Sequence, residues 1–209
     1  MKSKDTFWDG IAVSYANRPI SDMAAYEQTL ERVVSHLTPQ ARVLELGCGT
    51  GSTALRLAPH AANILATDFS AGMIAQAEAR EGADNVQFLR ADVFDAGLDA
   101  GGFDIVMGFN LLHLIEDVPS TLARIHSLLA PGGLFISKTP CLAEPSLGWK
   151  FSLLKRLIPV MQWIGKAPYV KFESIAGLDR QVEAAGFRII ETGNYPVRPP
   201  NHFVVAERA

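Results

Sequence analysis

Three glycines at alternate positions, Gly47, Gly49 and Gly51, directly follow the short apolar run 43–46. Glycine has no Cβ, so it permits unusual backbone angles and lets a ligand lie against the main chain. Asp68 ends the next apolar run, where a carboxylate can accept hydrogen bonds from ribose hydroxyls. These residue types favour a nucleoside-binding site. Glycines that merely allow a helix to pack closely on a strand are the alternative.

The spacing opposes two phosphate-binding motifs. A dinucleotide fingerprint requires Gly or Ala at position 52, where the chain has Ser52, and no Gly-Lys-Ser/Thr sequence follows as in a P-loop. We therefore expect a nucleoside ligand without phosphate. A nicotinamide oxidoreductase on a related sheet is a rival hypothesis that Ser52 counts against.

His113 lies three residues after a predicted strand, within the stretch LLHLIED. Imidazole has an ordinary pKa of about 6.5, which suits a catalytic base. The alternative is a structural histidine that packs among the leucines.

Short apolar runs alternate with helical patterns along the chain, which predicts βαβ units and a parallel sheet. The predicted strands are 42–47, 63–68, 86–92, 103–110, 134–139, 187–192 and 202–207. The predicted helices are 6–17, 22–37, 51–58, 70–80, 117–129 and 174–186. Pro131-Gly132-Gly133 predicts a turn. The proline-rich stretch NYPVRPPN between the last two strands predicts a turn, so the last strand should be antiparallel.

The expected fold is a three-layer α/β/α, Rossmann-like arrangement with a seven-stranded, mostly parallel sheet. We expect a single domain over 1–209, made of four parts. They are an N-terminal helical leader (1–39), a cofactor-binding core (40–140), a helical lid insertion (141–173) and a C-terminal helix and strand pair (174–209). The insertion follows the carboxyl end of a strand, where open α/β sheets bind their ligands.

Composition narrows the function classes. The 209 residues are 48% hydrophobic with a net charge of −3, which opposes a long nucleic-acid-binding track. The chain has two cysteines without the spacing of a metal site or a disulfide framework, no secretory signal and no apolar run of about 18 residues. These features predict a cytoplasmic protein without a metal site.

Five segments in order resemble the successive motifs of class I S-adenosylmethionine-dependent methyltransferases: VLELGCGTGSTAL, ATDFSAGMI, VQFLRADV, FDIVMGFNLLHLIED and LLAPGGLFISKT. The leader FWDGIAVSYANRP resembles that of the small-molecule branch. The resemblance implies an enzyme that binds S-adenosyl-L-methionine and transfers its methyl group by in-line displacement.

The resemblance also implies the cofactor-binding residues. The methionine part would lie against Gly47, Cys48, Gly49, Thr50 and Gly51. Glu45 would act there through water or backbone contacts, and Asp68 would hold the ribose. The adenine would meet Phe69, Met73, Asp92 and Val93. The backbone carbonyl of Asn110 would accept from the cofactor's ammonium, while Tyr15, with Arg18, would close over the cofactor.

Four of these positions have structural alternatives. Asp92 could be a helix cap, Met73 a core residue, Glu45 a strand carboxylate paired to a neighbour, and Cys48 a small turn residue.

The acceptor is predicted from the lid, whose apolar side chains at 151–164 indicate an apolar or aromatic small molecule, quinone-like or lipid-like included. Lysines and Trp163 in the lid are compatible with peripheral membrane contact. A non-catalytic S-adenosylmethionine-binding module is the main alternative. An RNA methyltransferase is a lesser one, suggested by Cys141 in TPC. Either a monomer or a homodimer fits the sequence.

Overall fold

A computed structural model describes residues 4–95, 97–144 and 167–209, together with positions 147, 158 and 161. The strands are β1 (Arg42–Leu46), β2 (Asn63–Asp68), β3 (Val86–Arg90), β4 (Phe103–Phe109), β5 (Leu129–Pro140), β6 (Phe187–Asn194) and β7 (Asn201–Arg208). The described helices are α1 (Lys4–Ala16), α2 (Met23–Val34), α3 (Ser52–Leu57), α4 (Ala71–Glu78), α5 (Val118–Leu128) and α6 (Ile175–Ala184).

The seven strands form one sheet in the order β3-β2-β1-β4-β5-β7-β6. Neighbours from β3 to β5 are parallel, whereas β7 is antiparallel to both β5 and β6. The predicted mostly parallel sheet with an antiparallel last strand is confirmed. The chain order reverses between β1 and β4, and the carboxyl ends of strands at such a point are where open α/β sheets bind ligands.

Apolar side chains fill both faces of the sheet. On one face, α5 and α6 pack over β4 and β5 through buried residues such as Leu122, Val182 and Phe135. On the other, α2 and α3 pack through residues such as Val33 and Leu57. The sheet is therefore the middle layer of three, as the sequence predicts.

Side chains cap the N-termini of helices close to the predicted positions. Asp22 accepts from the Ala25 N–H at 2.9 Å, and Ser70 accepts from the Met73 N–H at 3.1 Å. Both contacts satisfy a helical N–H that has no partner within its helix. The predicted α2 is too long, because the helix ends at Val34 and turn hydrogen bonds follow.

The predicted turn at Pro131-Gly132-Gly133 is instead part of β5, which begins at Leu129. The register against β4 shifts there, since Phe103 faces Leu129 but Ile105 faces Leu134. Gly132 adopts a φ of +73°, so the glycine permits an irregularity within the strand rather than ending it.

Most of the predicted helical lid lies outside the described residues. Its described ends, 141–144 and 167–173, are a turn, a bend and irregular backbone rather than helix. They are joined by the Ala143 N–H, which donates to the Glu173 carbonyl at 3.0 Å. Within the described parts of the chain, no helix has the length and apolar character needed to cross a membrane.

Candidate functional site

The turn after β1 brings three left-handed glycines together at the carboxyl edge of the sheet. The φ angles are +67° at Gly47, +55° at Gly49 and +75° at Gly51, values that L side chains adopt only with strain. The Cys48 N–H donates to the Thr67 carbonyl at 2.9 Å, so the turn is fastened to β2.

The three glycines are required for different structural reasons. A Cβ at Gly51 would lie 2.6 Å from the Phe88 ring, and one at Gly47 would lie 2.9 Å from Leu111 Cδ1. These two positions need glycine partly because protein atoms approach closely. A Cβ at Gly49 would meet only the Tyr15 ring, at 3.9 Å. Of these three glycines, Gly49 is thus the one whose bare backbone faces open space.

Two carboxylates flank this turn. Asp68, 8% exposed, accepts from the Gly49 N–H at 3.0 Å and from the Ser70 N–H at 2.9 Å. Glu45, 3% exposed, keeps its Oε2 without a hydrogen-bond partner among the described residues. The alternative in which Glu45 pairs with a neighbour leaves this oxygen unexplained.

Burial raises the pKa of both groups. Desolvation, with the nearby Asp68 charge as a smaller cause, raises the pKa of Glu45 to about 8. Burial also raises the pKa of Asp68 above its ordinary value, against the lowering effect of hydrogen bonds from Ser70 and Gly49. A buried acid with an unpaired oxygen is suited to a polar or cationic ligand group.

Neither cysteine has the properties of a nucleophile. Burial raises the pKa of the Cys48 thiol, and it raises that of Cys141 to about 12, so both remain protonated at neutral pH. Cys48 is a small turn residue, and the Cys141 thiol is unsuited to the nucleophilic route that the TPC stretch suggested.

The residues predicted to meet an adenine lie after β2 and β3. Met73 is 2% exposed within α4, Val93 is buried and Phe69 is half-buried. Asp92 is exposed and accepts from the Phe94 N–H at 3.0 Å. It therefore caps a turn, and the helix-cap alternative for Asp92 is wrong because the described residues 92–95 form a turn and not a helix.

Asn110 directly follows β4 and has a φ of +52°, a conformation uncommon for a residue other than glycine. Its N–H donates to the Lys138 carbonyl at 2.7 Å, and its side-chain oxygen accepts from Asn201 at 3.1 Å. These bonds from β5 and β7 hold the backbone in a sparsely populated region, as often occurs at binding sites.

His113 lies in a short 3-10 turn, Leu112–Leu114, directly after Leu111, which packs against Gly47. A small pocket beside it is lined by Leu112, Val118, Leu178, Thr139, Glu173 and Gln181. Burial lowers the pKa of His113 to about 4, and its Nδ1 has no described partner. The imidazole is therefore neutral at physiological pH.

The structure brings Glu45, the glycine turn, Asp68 and Tyr15 together, and it sets His113 on the adjoining loop. Sequence reasoning missed the pocket residues Thr139, Glu173 and Gln181 and the residues that hold α1, because no short motif links these distant positions.

Comparisons with known protein families, sequences and structures agree with this arrangement of the glycine turn and the sheet. Residues 43–133 match a family model described as a methyltransferase domain. The hybrid PKS-NRPS synthetase mpsA of Macrophomina phaseolina is 30% identical over 202 residues, which cover 90% of this chain and 5% of the synthetase. An uncharacterized methyltransferase of Mycobacterium bovis is 38% identical over 91 residues, which cover 44% of this chain and 46% of that protein. The chain thus matches less than half the length of either relative.

Among solved structures, the crystal structure of an S-adenosylmethionine dependent methyltransferase from Mesorhizobium loti superposes with a TM-score of 0.70 at 24% identity. The superposition covers 89% of this chain and 98% of that one. With the family model, the relatives and the sheet order in agreement, residues 43–133 match a methyltransferase domain, and the chain has the fold of an S-adenosylmethionine-dependent methyltransferase.

Proposed function

We propose that this protein transfers the methyl group of S-adenosyl-L-methionine to a small, apolar or aromatic organic acceptor. The observation that carries the proposal is the open face of Gly49, with the buried carboxylates of Asp68 and Glu45 beside it. An orphaned buried oxygen and a cradle that a Cβ would fill both fit a ligand with bare hydroxyls and a positive charge.

In this proposal Asp68 holds the ribose hydroxyls. Its two oxygens already accept one backbone N–H each, and a carboxylate can accept about four hydrogen bonds in all. The backbone bonds thus orient the carboxylate while leaving room for the sugar. The unpartnered Oε2 of Glu45 would face the methionine part through water, and Tyr15 would cover the nucleoside.

The adenine would lie between Phe69 and Met73 on one side and Val93 on the other. Asp92 Oδ1 accepts from its own loop, which leaves its second oxygen for the adenine amino group. The Asn110 carbonyl would accept from the ammonium of the donor. Gly47, Cys48 and Gly51 would shape the turn around these groups.

The donor supplies an activated methyl group, so this chain's residues mainly align the acceptor and exclude water. Alignment of two bound reactants can contribute about 7–11 kcal/mol to lowering the barrier. A hydroxyl or amine acceptor must also lose a proton. His113 is the proposed base, because its imidazole is neutral and its Nδ1 is unpartnered among the described residues.

A pKa near 4 makes His113 a weak base. That basicity is sufficient late in the transfer, since a neutral oxygen or nitrogen becomes much more acidic as it bonds to the methyl carbon. The acceptor lone pair forms the new carbon bond, the carbon–sulfur pair stays on sulfur, and the released proton passes to His113.

Two features support a small organic acceptor. The small pocket beside His113 joins the apolar Leu112, Val118 and Leu178 to polar residues such as Glu173 and Gln181. Thr139 Oγ1 is buried there without a described partner, which suits an acceptor with one hydrogen-bonding group. The related protein mpsA is named as a hybrid PKS-NRPS synthetase, and polyketides are small organic molecules. Apart from positions 158 and 161, the apolar lid at 151–164 lies outside the described residues.

Thermal unfolding with added ligands tests the cofactor proposal. S-adenosylhomocysteine should raise Tm, because a ligand that binds only the folded state stabilises it, while NAD should not. Asp68→Ala should abolish the shift. Asp104→Ala removes a carboxylate that binds Arg42 at the opposite edge of the sheet and should retain it. A shift with NAD alone would overturn the proposal.

Turnover is tested by incubating the protein with methyl-labelled donor and a metabolite extract. Label in a small apolar or aromatic product is the expected result. Label only in RNA or in polar amino acids would contradict the proposed acceptor class.

A further inference from the structure

Helix α1 is attached to the start of α4 by one carboxylate. Asp9 Oδ1 accepts from the Ser70 hydroxyl at 2.6 Å and from the Gly72 N–H at 2.9 Å. Ser70 in turn caps α4 by accepting from the Met73 N–H. A side chain of α1 therefore completes the N-terminus of a helix more than sixty residues away in sequence.

The same contact is closely packed. A Cβ at Gly72 would lie 3.0 Å from the Asp9 Cα and 3.2 Å from the Ala12 Cβ. Ala12 is 2% exposed, whereas its neighbours Val13 and Tyr15 are exposed. Of the α1 side chains that the structure describes, only Ala12 is fully buried, while Phe7, Trp8 and Ile11 are half-buried. An element with few fully buried apolar side chains opens at low free-energy cost.

Tyr15 lies six positions after Asp9 on the same helix, about 9 Å along its axis. Its ring is the group nearest to the open face of Gly49 and contacts Trp8 edge-on. When Asp9 holds α1 against α4, Tyr15 is held over the glycine turn.

We infer that Asp9 is a positioning residue that latches α1 closed over the nucleoside site and thereby sets the affinity for the methyl donor. The inference rests on the proposed function. Asp9 acts through α1 and Tyr15, without touching the donor. If only the closed form binds tightly, the apparent Kd rises in proportion as the closed fraction falls.

Two variants on opposite sides of the contact test the latch by calorimetric titration with S-adenosylhomocysteine. Asp9→Ala removes the acceptor oxygen. Gly72→Ala leaves that oxygen in place but sets a methyl group against Asp9 and Ala12. Both should weaken binding by about tenfold if the closed fraction falls to about one tenth. Because they break one contact, the double variant should lose little more than either single variant.

Gly72→Ala separates positioning from simple loss of stability. Alanine favours a helix more than glycine does, so the thermal midpoint of this variant should stay near that of the wild type while its affinity falls. Asp104→Ala is the matched control, since Asp104 also accepts from a backbone N–H, that of Arg42 at 2.8 Å. Its affinity should match the wild type.

The outcomes distinguish the two proposals. A wild-type protein that does not bind S-adenosylhomocysteine overturns the proposed function. A wild type that binds, with Asp9→Ala and Gly72→Ala binding equally well, overturns the latch alone.

Discussion

The Asp68 carboxylate accepts a hydrogen bond from the Gly49 N–H at 3.0 Å, so the end of β2 is tied to the turn that follows β1. This bond fixes the open glycine and the buried acid relative to each other before any ligand arrives. Polar groups held in place in this way need little reorganisation on binding, which reduces its cost.

Alanine at Gly51 should mainly lower stability, whereas alanine at Gly49 should mainly weaken ligand binding. Gly51→Ala should lower the free energy of unfolding by about 2–5 kcal/mol, from overpacking against Phe88 and from left-handed strain. Gly49→Ala carries only the strain, about 1–2 kcal/mol, but its methyl group occupies the ligand face. It should therefore weaken S-adenosylhomocysteine binding at least tenfold.

Urea unfolding and calorimetric titration of both variants provide the two measurements. Wild-type affinity in Gly49→Ala would show that no ligand lies against this turn.

The burial of Glu45 should make stability depend on pH. Its pKa in the folded protein is about 8, above the ordinary 4.5. The stabilising contribution is therefore full below pH 4.5 and is lost as pH rises through 8. Glu45→Gln lacks the charge, so at pH 9 it should be more stable than the wild type by at least about 1.4 kcal/mol, the equivalent of one pKa unit.

Urea unfolding at intervals between pH 5 and pH 9 measures this difference. Parallel curves for Glu45→Gln and the wild type would mean that Glu45 is not desolvated. Asp104→Asn serves as the control, because this partly exposed carboxylate pairs with Arg42 and has a lowered pKa, so its contribution should stay constant between pH 5 and pH 9.

The sequence was sufficient for the sheet and the glycine turn because both depend on local patterns. Alternating strands and helices predicted the topology, and the spacing of Gly47, Gly49 and Gly51 predicted the turn. The separate tasks of these glycines depend on distant groups such as Phe88, so they required the structure. The latch was not predictable for the same reason, since an exposed Asp9 in a helix has no distinguishing local pattern.

Burial explains why the ionisation of His113 could not be inferred from its neighbours in sequence. Its ordinary pKa suggested a base that titrates near pH 6.5, whereas desolvation by α6 and β5 residues around the pocket lowers the value to about 4. The proposed role stays a prediction, but the pH range over which it operates changes.

His113→Gln should reduce turnover by about 10²–10⁴-fold if His113 is the base. The acid limb of kcat/KM in the wild type should lie near pH 4 instead of 6.5. An unchanged rate in the variant with the true acceptor would contradict the assignment.

Stability gives a test of the same residue that needs no acceptor. Because the folded pKa of His113 is lowered, its contribution is present above pH 6.5 and is lost as pH falls through 4. As pH falls from 6.5 to 4, the free energy of unfolding of the wild type should fall by up to about 3 kcal/mol more than that of His113→Gln.

Lys138 gives a prediction about a charge buried away from the glycine turn. Its Nζ donates to the Thr29 hydroxyl of α2 at 3.1 Å, and the Lys138 side chain is buried. Burial lowers the pKa of Lys138, and the Asp22 charge opposes this lowering.

A base with a lowered pKa contributes its full stability above the ordinary pKa of 10.5, and the contribution is lost as pH falls through the folded value. Burying Lys138 in its protonated form is therefore costly. Methionine has a similar shape without the charge, so Lys138→Met should raise the free energy of unfolding at pH 7 by about 1 kcal/mol, measured by urea unfolding, and by less at pH 10. A variant less stable than the wild type at pH 7 would mean that Thr29 and Asp22 compensate the charge fully.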